Sequence, residues 1–337
     1  MKILNNFHYS RTMTMIKGFE QKEMPISSFN IVEDSIFLTC ISFEDRSISL
    51  LKSNFDKINK IYAFSLNNYN KTEENFKVVS DIYEEKLERV ILDITDPIQT
   101  YKMISNITKF CGSTKNEIIV DITTFTHETL LILMQSLKKS GCTKVHYVYV
   151  GADEYSIGDS YDAKWLSKGC KEIRNVLGYA GKMIPSKQTC LVMLTGFESE
   201  RAMGAIFDLD AELVYIGNGL KESSHVTGKK HVDTMSYFRE LYGSLLSTRE
   251  GVKFFEFSPK DIVDVYKKLQ TIIDATPNYN HIIVPLNTKI SSLAVGLYAL
   301  QNRDVQVSYS LPETYNVNAY STAGDKVVEC FINMELI

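Results

Sequence analysis

The chain has 337 residues, of which 44% are hydrophobic and 23% charged, and its formal net charge is −4. Domains average about 150 residues, so this length predicts two domains with ordinary globular cores. Proteins built to bind duplex nucleic acid are usually basic, because phosphate contacts supply most of their affinity, and this charge balance disfavours that class. The chain contains no run of the ~18 apolar residues that a membrane span requires, so no membrane partner is expected.

The six cysteines are spread along the chain without a CxxC pair or a Cys/His cluster of zinc spacing. Cys40 and Cys190 lie in or beside apolar runs, where a thiol acts as a small hydrophobic group. This pattern predicts reduced cysteines in a cytoplasmic protein. P-loop, GxGxxG, GxSxG and HExxH motifs are absent from the sequence, so neither a cofactor nor a metal is predicted.

The chain begins with a polar segment, residues 1–30, which is predicted to be an irregular or partly helical arm. A first unit over residues 31–155 alternates short apolar runs with segments of helical periodicity. Its predicted strands are Ile36–Ile41, Ile61–Leu66, Arg89–Thr95, Glu117–Thr124 and Val145–Tyr149, and its predicted helices are Ser47–Asp56, Asp96–Phe110 and His127–Ser140. Such alternation is typical of parallel strands that helices cover on both faces.

Residues 156–188 are predicted to join the two units through a helix and a loop. The helix candidate is Ala163–Leu177, and glycines and Pro185 follow it as breakers. On this helix, Trp165 is interpreted as a buried ring, and Lys168 and Arg174 as part of a solvated face. The alternative is that the three residues clamp a ligand.

A second unit over residues 189–337 repeats the alternation. Its predicted strands are Cys190–Thr195, Glu212–Ile216, Val252–Ser258, His281–Thr288 and Val305–Tyr309, and its predicted helices are Ala202–Leu209, Lys260–Ile273 and Ile290–Gln301. An insertion, Leu220–Glu250, begins with polar residues and is predicted to be a loop that could act as a lid.

Four segments of the first unit match segments of the second in the same order and at nearly constant spacing. The clearest pair is Phe43–Arg46 and Phe197–Arg201, in which Phe-Glu follows a buried strand and an arginine opens the next element. Collinear matches of this kind indicate tandem duplication. The predicted fold is therefore α/β, with two tandem Rossmann-like parallel-sheet units related by pseudo-two-fold symmetry.

Polar residues follow the first and fourth strands of each predicted unit. In an open parallel sheet, ligands bind at the carboxyl ends of the strands where the strand order reverses. Hydroxyls, amides and lysine at a helix start suit phosphate, and carboxylates suit ribose hydroxyls or base amino groups. The predicted ligand-binding residues are Phe43, Glu44, Arg46, Asp121, Thr123, Thr124 and Thr126 in the first unit, and Phe197, Glu198, Arg201, Asn287, Thr288 and Lys289 in the second.

Each of these residues also has a purely structural interpretation. Glu44 and Glu198 could be acids that the dipole favours in a first helical turn, and residues 123–126 could cap the helix that follows. Asp121 at a strand end is more often structural than catalytic. His127 has no visible partner and is assigned to a helix surface. Lys289 aligns with Phe125 of the first unit, so a binding role for this lysine would have no equivalent in the first unit.

The segment Ile119–His127, a strand followed by Asp-x-Thr and a helix, resembles the ligand-binding motif of CRISPR-associated Rossmann-fold (CARF) sensor domains. Val284–Lys289 is a second version of it. Two such units resemble the SAVED sensors of bacterial anti-phage defence. The family's motif has glycines after Asp-x-Thr, and here Thr124 and Phe125 stand in that place, which bears on how closely a phosphate could approach the backbone.

This resemblance implies a sensor that binds a cyclic oligonucleotide between paired units, and some members of the family cleave such ligands. It also implies that the effector activity resides in a partner protein. The leading hypothesis is an antiviral-defence sensor that holds a nucleotide-like ligand in a cleft between the two units. The alternatives are a hydrolase of a nucleotide or N-glycosidic bond, with Glu44 or Glu198 as the acid/base, and a structural subunit of a defence complex.

Overall fold

The structure is a computed structural model. It describes residues 18–53, 56–66, 69–155, 166–220, 243, 246, 250–317 and 321–337. Nearly all of the predicted insertion, Trp165 of the predicted joining helix and residues 1–17 of the predicted arm lie outside the described residues.

The chain forms two compact units that are discontinuous in sequence. Unit 1 comprises Met1–Phe125, Leu133–Gly151 and Ala323–Ile337, and unit 2 comprises Thr126–Ile132 and Ala152–Thr322. The helix His127–Lys139 is therefore divided: its residues up to Ile132 belong to unit 2, and those from Leu133 onward belong to unit 1.

The sheet of unit 1 has seven strands in the order β1-β15-β6-β5-β2-β3-β4. These strands are β1 (Phe19–Pro25), β2 (Ser35–Cys40), β3 (Ile58–Ser65), β4 (Leu87–Ile91), β5 (Ile118–Asp121), β6 (Lys144–Tyr155) and β15 (Ser321–Asn333). Strands β2 to β6 are parallel, whereas β1 and β15 pair antiparallel. The associated helices are α1 (Asn70–Tyr83), α2 (Pro97–Ser113) and α3 (His127–Lys139).

The main sheet of unit 2 has six strands in the order β11-β10-β9-β12-β13-β8. They are β8 (Glu172–Ala180), β9 (Thr189–Thr195), β10 (Leu213–Gly219), β11 (Val252–Phe257), β12 (Asn280–Pro285) and β13 (Gln306–Leu311). In this sheet β8 is antiparallel to β13 and the other pairs are parallel. The short strands β7 (Ser167–Lys168) and β14 (Thr314–Tyr315) form a separate antiparallel pair. The helices are α4 (Ser199–Asp208), α5 (Ile262–Asp274) and α6 (Lys289–Gln301).

The five parallel strands of each unit have the same order. Counted along the chain within a unit, they lie 5-4-1-2-3, which is the strand order of the Rossmann dinucleotide-binding fold read from its other edge. The prediction of two Rossmann-like parallel-sheet units is confirmed. The shared order also supports the predicted duplication, which stays a prediction.

The central strands are buried because helices cover them, as their unbroken apolar runs predicted. Every residue of β2, β5, β12 and β13 is buried, and so are all residues of β9 after the first. The buried core of unit 1 includes Phe37, Ile61 and Val148, and that of unit 2 includes Met193, Ile206 and Val284. These rigid strands carry the loops that form the candidate site.

Two predicted helices are wrong. In the described residues of Ser47–Asp56 the only helical turns are short 3₁₀ turns at Asp45–Ile48 and Leu51–Ser53, because serine hydroxyls in this segment bond to nearby backbone carbonyls and compete with the helix. The described part of Ala163–Leu177 is extended instead, since Glu172–Ala180 completes the edge of the sheet beside β13.

The chain ends also differ from prediction. Phe19–Pro25, which falls in the predicted arm, is an edge strand of unit 1. Ser321–Asn333, at the end of the predicted second unit, joins the same sheet, because β1 and β15 pair with one another beside β6. Helix α1 was not located from the sequence.

The cysteines form no disulfide within the described residues, and all except Cys170 are buried. Among the helices that the structure describes, none has the length and apolar character needed to cross a membrane.

Candidate functional site

The predicted site residues lie at the point where strand order reverses in each unit. In unit 1 this switch point is between β2 and β5, and in unit 2 it is between β9 and β12. The loops that follow these strands carry the predicted residues. Loops at such switch points form the ligand crevice of doubly wound folds, so the predicted residues are candidates for ligand contact.

The arginine of the unit 1 site is committed to structural contacts. Arg46 is buried, and its Nε and Nη2 lie 2.9 and 2.8 Å from Glu44 Oε2. Its Nη1 donates to the backbone oxygen of Val150 and to the hydroxyl of Tyr149, each at 3.3 Å. The ion pair thus ties the loop after β2 to the last parallel strand. Phe43 is half-buried beside Tyr69, with ring centroids 5.4 Å apart.

The residues after β5 also bond mainly within unit 1. Asp121 is buried, and its Oδ1 accepts hydrogen bonds from the backbone N–H of Thr123, at 3.0 Å, and from the Thr123 hydroxyl. The hydroxyl of Thr124 donates to the backbone oxygen of Cys40 across the switch point. Asp121 Oδ2 has no hydrogen-bond partner within the described residues. Burial raises the pKa of Asp121 to about 7 against the lowering effects of Thr123 and Arg46.

The arginine of unit 2 makes the same kind of contact as Arg46. Arg201 is buried, and both Nε, at 2.8 Å, and Nη2 donate to the backbone oxygen of Ser310 on β13. Its guanidinium lies 5.3 Å from the ring centroid of Tyr309. In both units an arginine after the first strand therefore binds the last parallel strand beside a tyrosine, which explains why this residue type recurs.

The carboxylate of unit 2 differs from its counterpart in unit 1. Glu198 Oε1 lies 3.8 Å from Arg201 Nη1, which is beyond hydrogen-bond distance. No side chain donates a hydrogen bond to this carboxylate within the described part of the chain. Gly196 makes the close packing possible, because a Cβ there would lie 2.4 Å from the backbone oxygen of Leu286 and 3.1 Å from Glu198 Oε2. Burial raises the pKa of Glu198, whereas Arg201 and Lys289 act to lower it.

The residues after β12 form the start of helix α6. Asn287 Nδ2 donates to the backbone oxygen of Thr195 at 2.5 Å, across the unit 2 switch point. Thr288 is the N-cap, since its hydroxyl oxygen accepts from the Ser291 N–H at 3.1 Å. Half-buried Lys289 is the first residue of the helix. Half-buried Phe197 lies in the loop after β9.

Helices α3 and α6, which follow the fourth parallel strand of each unit, match one another in a different register from the one that the sequence alignment predicted. Thr126 accepts from the Thr129 N–H at 3.1 Å, just as Thr288 caps α6, and α3 and α6 each have 13 residues. His127, not Phe125, therefore occupies the position equivalent to Lys289. The alignment was wrong here because the loop after β5 is longer than the loop after β12.

His127 is buried and not on a helix surface, which corrects the prediction. It belongs to the part of α3 that is counted with unit 2, and its Nδ1 lies 2.6 Å from Ser292 Oγ on α6. Its Nε2 has no hydrogen-bond partner within the described residues. Burial, with the charges of Lys289 and Arg201, holds the pKa of His127 well below its usual value, so the imidazole is neutral near pH 7.

Arg174 binds a carboxylate of the same unit and is not on a solvated helix face. Its Nε and Nη2 lie 2.9 and 2.6 Å from the two carboxylate oxygens of Glu128. Burial raises the pKa of Glu128, and the guanidinium of Arg174 opposes that shift. Lys168 lies in the short strand β7. The bidentate pair fixes β8 against the start of α3.

Unit 2 thus brings together more groups than the sequence predicted. Lys289 and Arg201 are near enough to both Glu198 and His127 to shift their pKa values. Ser292 was missed. The available signal was a pair of serines at the start of an otherwise apolar helix, Lys289–Gln301. Within the described residues, no three His, Cys, Asp or Glu side chains are grouped so that they could hold a metal ion.

Comparison with known proteins shows the fold. No family model matches the chain, and no curated protein matches its sequence. A solved structure described as a type III CRISPR defence DNA nuclease activated by cyclic oligoadenylate is similar over 82% of this chain and 65% of that chain, at 9% identity and a TM-score of 0.50.

Two other similar structures have much lower TM-scores. The NADPH-bound carbonyl reductase from chicken fatty liver matches 34% of this chain and 51% of its own, at 14% identity and a TM-score of 0.26. UDP-GlcNAc 2-epimerase from Neisseria meningitidis matches 75% and 77%, at 9% identity and a TM-score of 0.24. The chain thus spans about half of the reductase and just under two thirds of the nuclease. At this identity the likeness to the nuclease establishes a shared α/β fold and nothing further.

Proposed function

We propose that this protein is a sensor that binds a nucleotide-like ligand at its Rossmann switch points, with unit 2 supplying most of the binding groups. The single observation that carries the proposal is a gathering of polar groups at the unit 2 switch point: Glu198 lies 3.8 Å from Arg201, and His127 lies 2.6 Å from Ser292 on the helix that begins at Lys289. Cations beside a helix start suit phosphate, and a carboxylate without a close partner suits a hydroxyl or amino group of the same ligand.

The two units contribute differently in this proposal. In unit 1, Glu44 and Arg46 satisfy one another, and Thr123 and Thr124 donate to protein atoms. A ligand that bound to Glu44 or Arg46 would have to break this buried ion pair, which would cost free energy. In unit 2, Glu198 and His127 Nε2 keep their hydrogen-bonding capacity for a ligand.

Cyclic oligoadenylates are the ligands to test first. The similar nuclease is described as activated by cyclic oligoadenylate, and the Asp121–Thr123 segment resembles the CARF motif. We extend the proposal to an anti-phage defence role in which a separate partner protein carries the effector activity.

Isothermal titration calorimetry at fixed salt tests the binding. The panel contains cyclic tri-, tetra- and hexa-adenylates, AMP and NAD. Glu198→Gln and Lys289→Gln each remove a charged hydrogen-bonding group, so each is expected to weaken binding by about 10- to 100-fold. Lys182→Ala is the matched control, because Lys182 is exposed and follows β8 at the edge where β13 begins. Absence of heat with every nucleotide would reject the proposal.

A second candidate function is hydrolysis of a nucleotide or N-glycosidic bond. Glu198 favours it, because burial raises the pKa of this carboxyl and no tight ion pair neutralises it. Glu44 is disfavoured as the acid/base by its pairing with Arg46. Chromatography of NAD, nucleosides and cyclic oligoadenylates after incubation separates the two functions. Turnover that Glu198→Gln abolishes while binding persists would establish the hydrolase.

A further inference from the structure

We infer that Asn218 is a specificity-determining residue of unit 2, whose side-chain amide forms paired hydrogen bonds with an adenine base of the ligand. Asn218 is the next-to-last residue of strand β10 and was not among the ligand-binding residues that the sequence predicted. This inference rests on the proposed function and deepens it, because it names the chemical group that one side chain recognises.

Asn218 lies at the carboxyl end of β10, on the face of the sheet that helix α4 covers. Side chains alternate between faces along a strand, so Asn218 shares a face with Ile216. Ile216 belongs to the same buried core cluster as Ala202 of α4. Because α4 begins directly after the loop that follows β9, Asn218 lies at the same end of the sheet as Glu198.

The ends of three neighbouring strands converge beside Asn218. In the parallel register Asn218 is aligned with Thr195, the last residue of β9. A Cβ on the next residue, Gly219, would lie 3.2 Å from Nδ2 of Asn287, which follows β12. Asn287 in turn donates to the backbone oxygen of Thr195. Asn218 is therefore adjacent to the loops that carry the predicted ligand-binding residues of unit 2.

The neighbours of Asn218 leave its amide oxygen unsatisfied. Oδ1 is buried and has no hydrogen-bond partner within the described residues, although the side chain as a whole is half-buried. The Thr195 hydroxyl donates instead to the backbone oxygen of Gly217, at 2.7 Å. On the other side Asn218 is aligned with exposed Glu256 of β11, and an ionised carboxylate only accepts.

This unsatisfied oxygen suits a donor that a ligand supplies. A buried acceptor without a donor costs free energy, and a ligand that paired with it would recover that cost. No hydrogen bond to another described residue holds the Asn218 amide in place, so rotation about its last side-chain bond can turn Oδ1 toward the ligand. The same amide offers its N–H groups beside Oδ1.

An adenine base matches a neutral amide best. Asn presents an acceptor and a donor side by side, and adenine presents the complementary pair in its 6-amino group and N7. The same edge of guanine presents two acceptors, phosphate presents acceptors alone, and a ribose hydroxyl is a single atom that pairs with one of the two amide groups. Phosphate suits the other side of the switch point, where Thr288 caps α6.

The test measures how Asn218 couples to the 6-amino group, by calorimetric titration of the full chain. AMP is compared with purine riboside monophosphate, which lacks only that amino group. The native chain should bind AMP about 10- to 100-fold more tightly, and Asn218→Ala should bind the two nucleotides equally. Asn278→Ala is the matched control, because Asn278 is exposed and precedes β12 at the opposite end of the sheet.

A second variant, Asn218→Asp, separates recognition from folding. Asp keeps the shape of the side chain but replaces the donor with a second acceptor, which matches the N1–H and 2-amino donors of guanine. The ratio of AMP affinity to GMP affinity should therefore fall by about tenfold or more. Both nucleotides carry the same phosphate, so the added negative charge cancels in this ratio. A residue with a purely structural role would not change the base preference.

The outcomes separate the inference from the proposed function. Nucleotide binding whose affinity and base preference Asn218→Ala leaves unchanged would overturn the inference and keep the proposed function. Equal losses by Asn218→Ala for AMP and purine riboside monophosphate would place the contact on the ribose or phosphate and also overturn it. If adenosine shifts the NMR signals of the Asn218 side-chain amide but no nucleotide binds, the inference stands and the proposed function falls. If neither AMP nor adenosine reaches Asn218, the inference fails.

Discussion

Glu198 stands 3.8 Å from Arg201, whereas Glu44, at the equivalent place after the first strand of unit 1, contacts Arg46 at 2.8 Å. Both arginines also bind the backbone of the last parallel strand in their own unit. Each unit thus combines a glutamate, an arginine and a backbone oxygen of the last parallel strand. Only Glu44 lies within hydrogen-bond distance of its arginine. In the proposed function, this difference distinguishes Glu44, which has a structural role, from Glu198, which would contact the ligand.

The two glutamates are expected to respond oppositely to removal of their charge. Glu44→Gln leaves the buried guanidinium of Arg46 without a counter-charge, so we expect the free energy of unfolding to fall by about 3 kcal/mol. Glu198→Gln should change it by less than about 1 kcal/mol while weakening ligand binding. Urea unfolding followed by circular dichroism measures both. Equal destabilisation by the two variants would contradict the distinction.

Asp121 predicts a pH dependence of stability in unit 1. Its pKa rises from 3.8 to about 7 on folding, so the native state keeps a proton that the unfolded chain releases. The associated stability is fully present below 3.8 and is lost as the pH rises through about 7, a difference of about 4 kcal/mol at most.

Asp121→Asn removes this titration and is expected to stabilise the protein at pH 8 relative to the native chain, but not at pH 4. Asn also supplies a donor in place of Oδ2, and the hydroxyl of Thr39, on the neighbouring strand, has no hydrogen-bond partner within the described residues. Thermal unfolding at several pH values measures the effect. A parallel pH profile for both proteins would show that Asp121 is ionised in the folded state.

The helix caps Thr126 and Thr288 should contribute similarly to stability. Each side chain accepts one otherwise unsatisfied backbone N–H, so replacing either with Ala should cost about 1 kcal/mol. Hydrogen exchange measures this locally. The amide of Ser291 should exchange faster in Thr288→Ala, and that of Thr129 faster in Thr126→Ala. Unchanged protection of those amides would mean that other groups cap the helices.

The bidentate pair between Arg174 and Glu128 predicts a graded series. Arg174→Lys keeps the charge but loses one of two hydrogen bonds, which should cost about 1–2 kcal/mol. Arg174→Met leaves Glu128 buried without a counter-charge and should cost about 3–5 kcal/mol. Adding Glu128→Gln to Arg174→Met should recover part of the loss, and a double-mutant cycle measures the coupling. Additive effects would show that the pair is not coupled.

Local sequence pattern determined the architecture of both units. Apolar runs such as Cys190–Leu194 form buried strands because a strand covered on both faces must be apolar throughout. The same pattern located the candidate residues, since polar side chains directly after such runs must lie at strand ends. It failed at Glu172–Ala180, where pairing with β13 overrides a helix-like pattern.

Only the tertiary structure decided which of these side chains remain available. Arg46 meets Tyr149 and Val150 across more than a hundred residues of chain, and His127 meets Ser292 from 165 positions away. Burial and hydrogen-bond partners depend on such long-range contacts, which no local window of sequence contains. The residue types at a strand end are therefore readable from sequence, whereas their charge and their free hydrogen-bonding atoms are set by what folds against them.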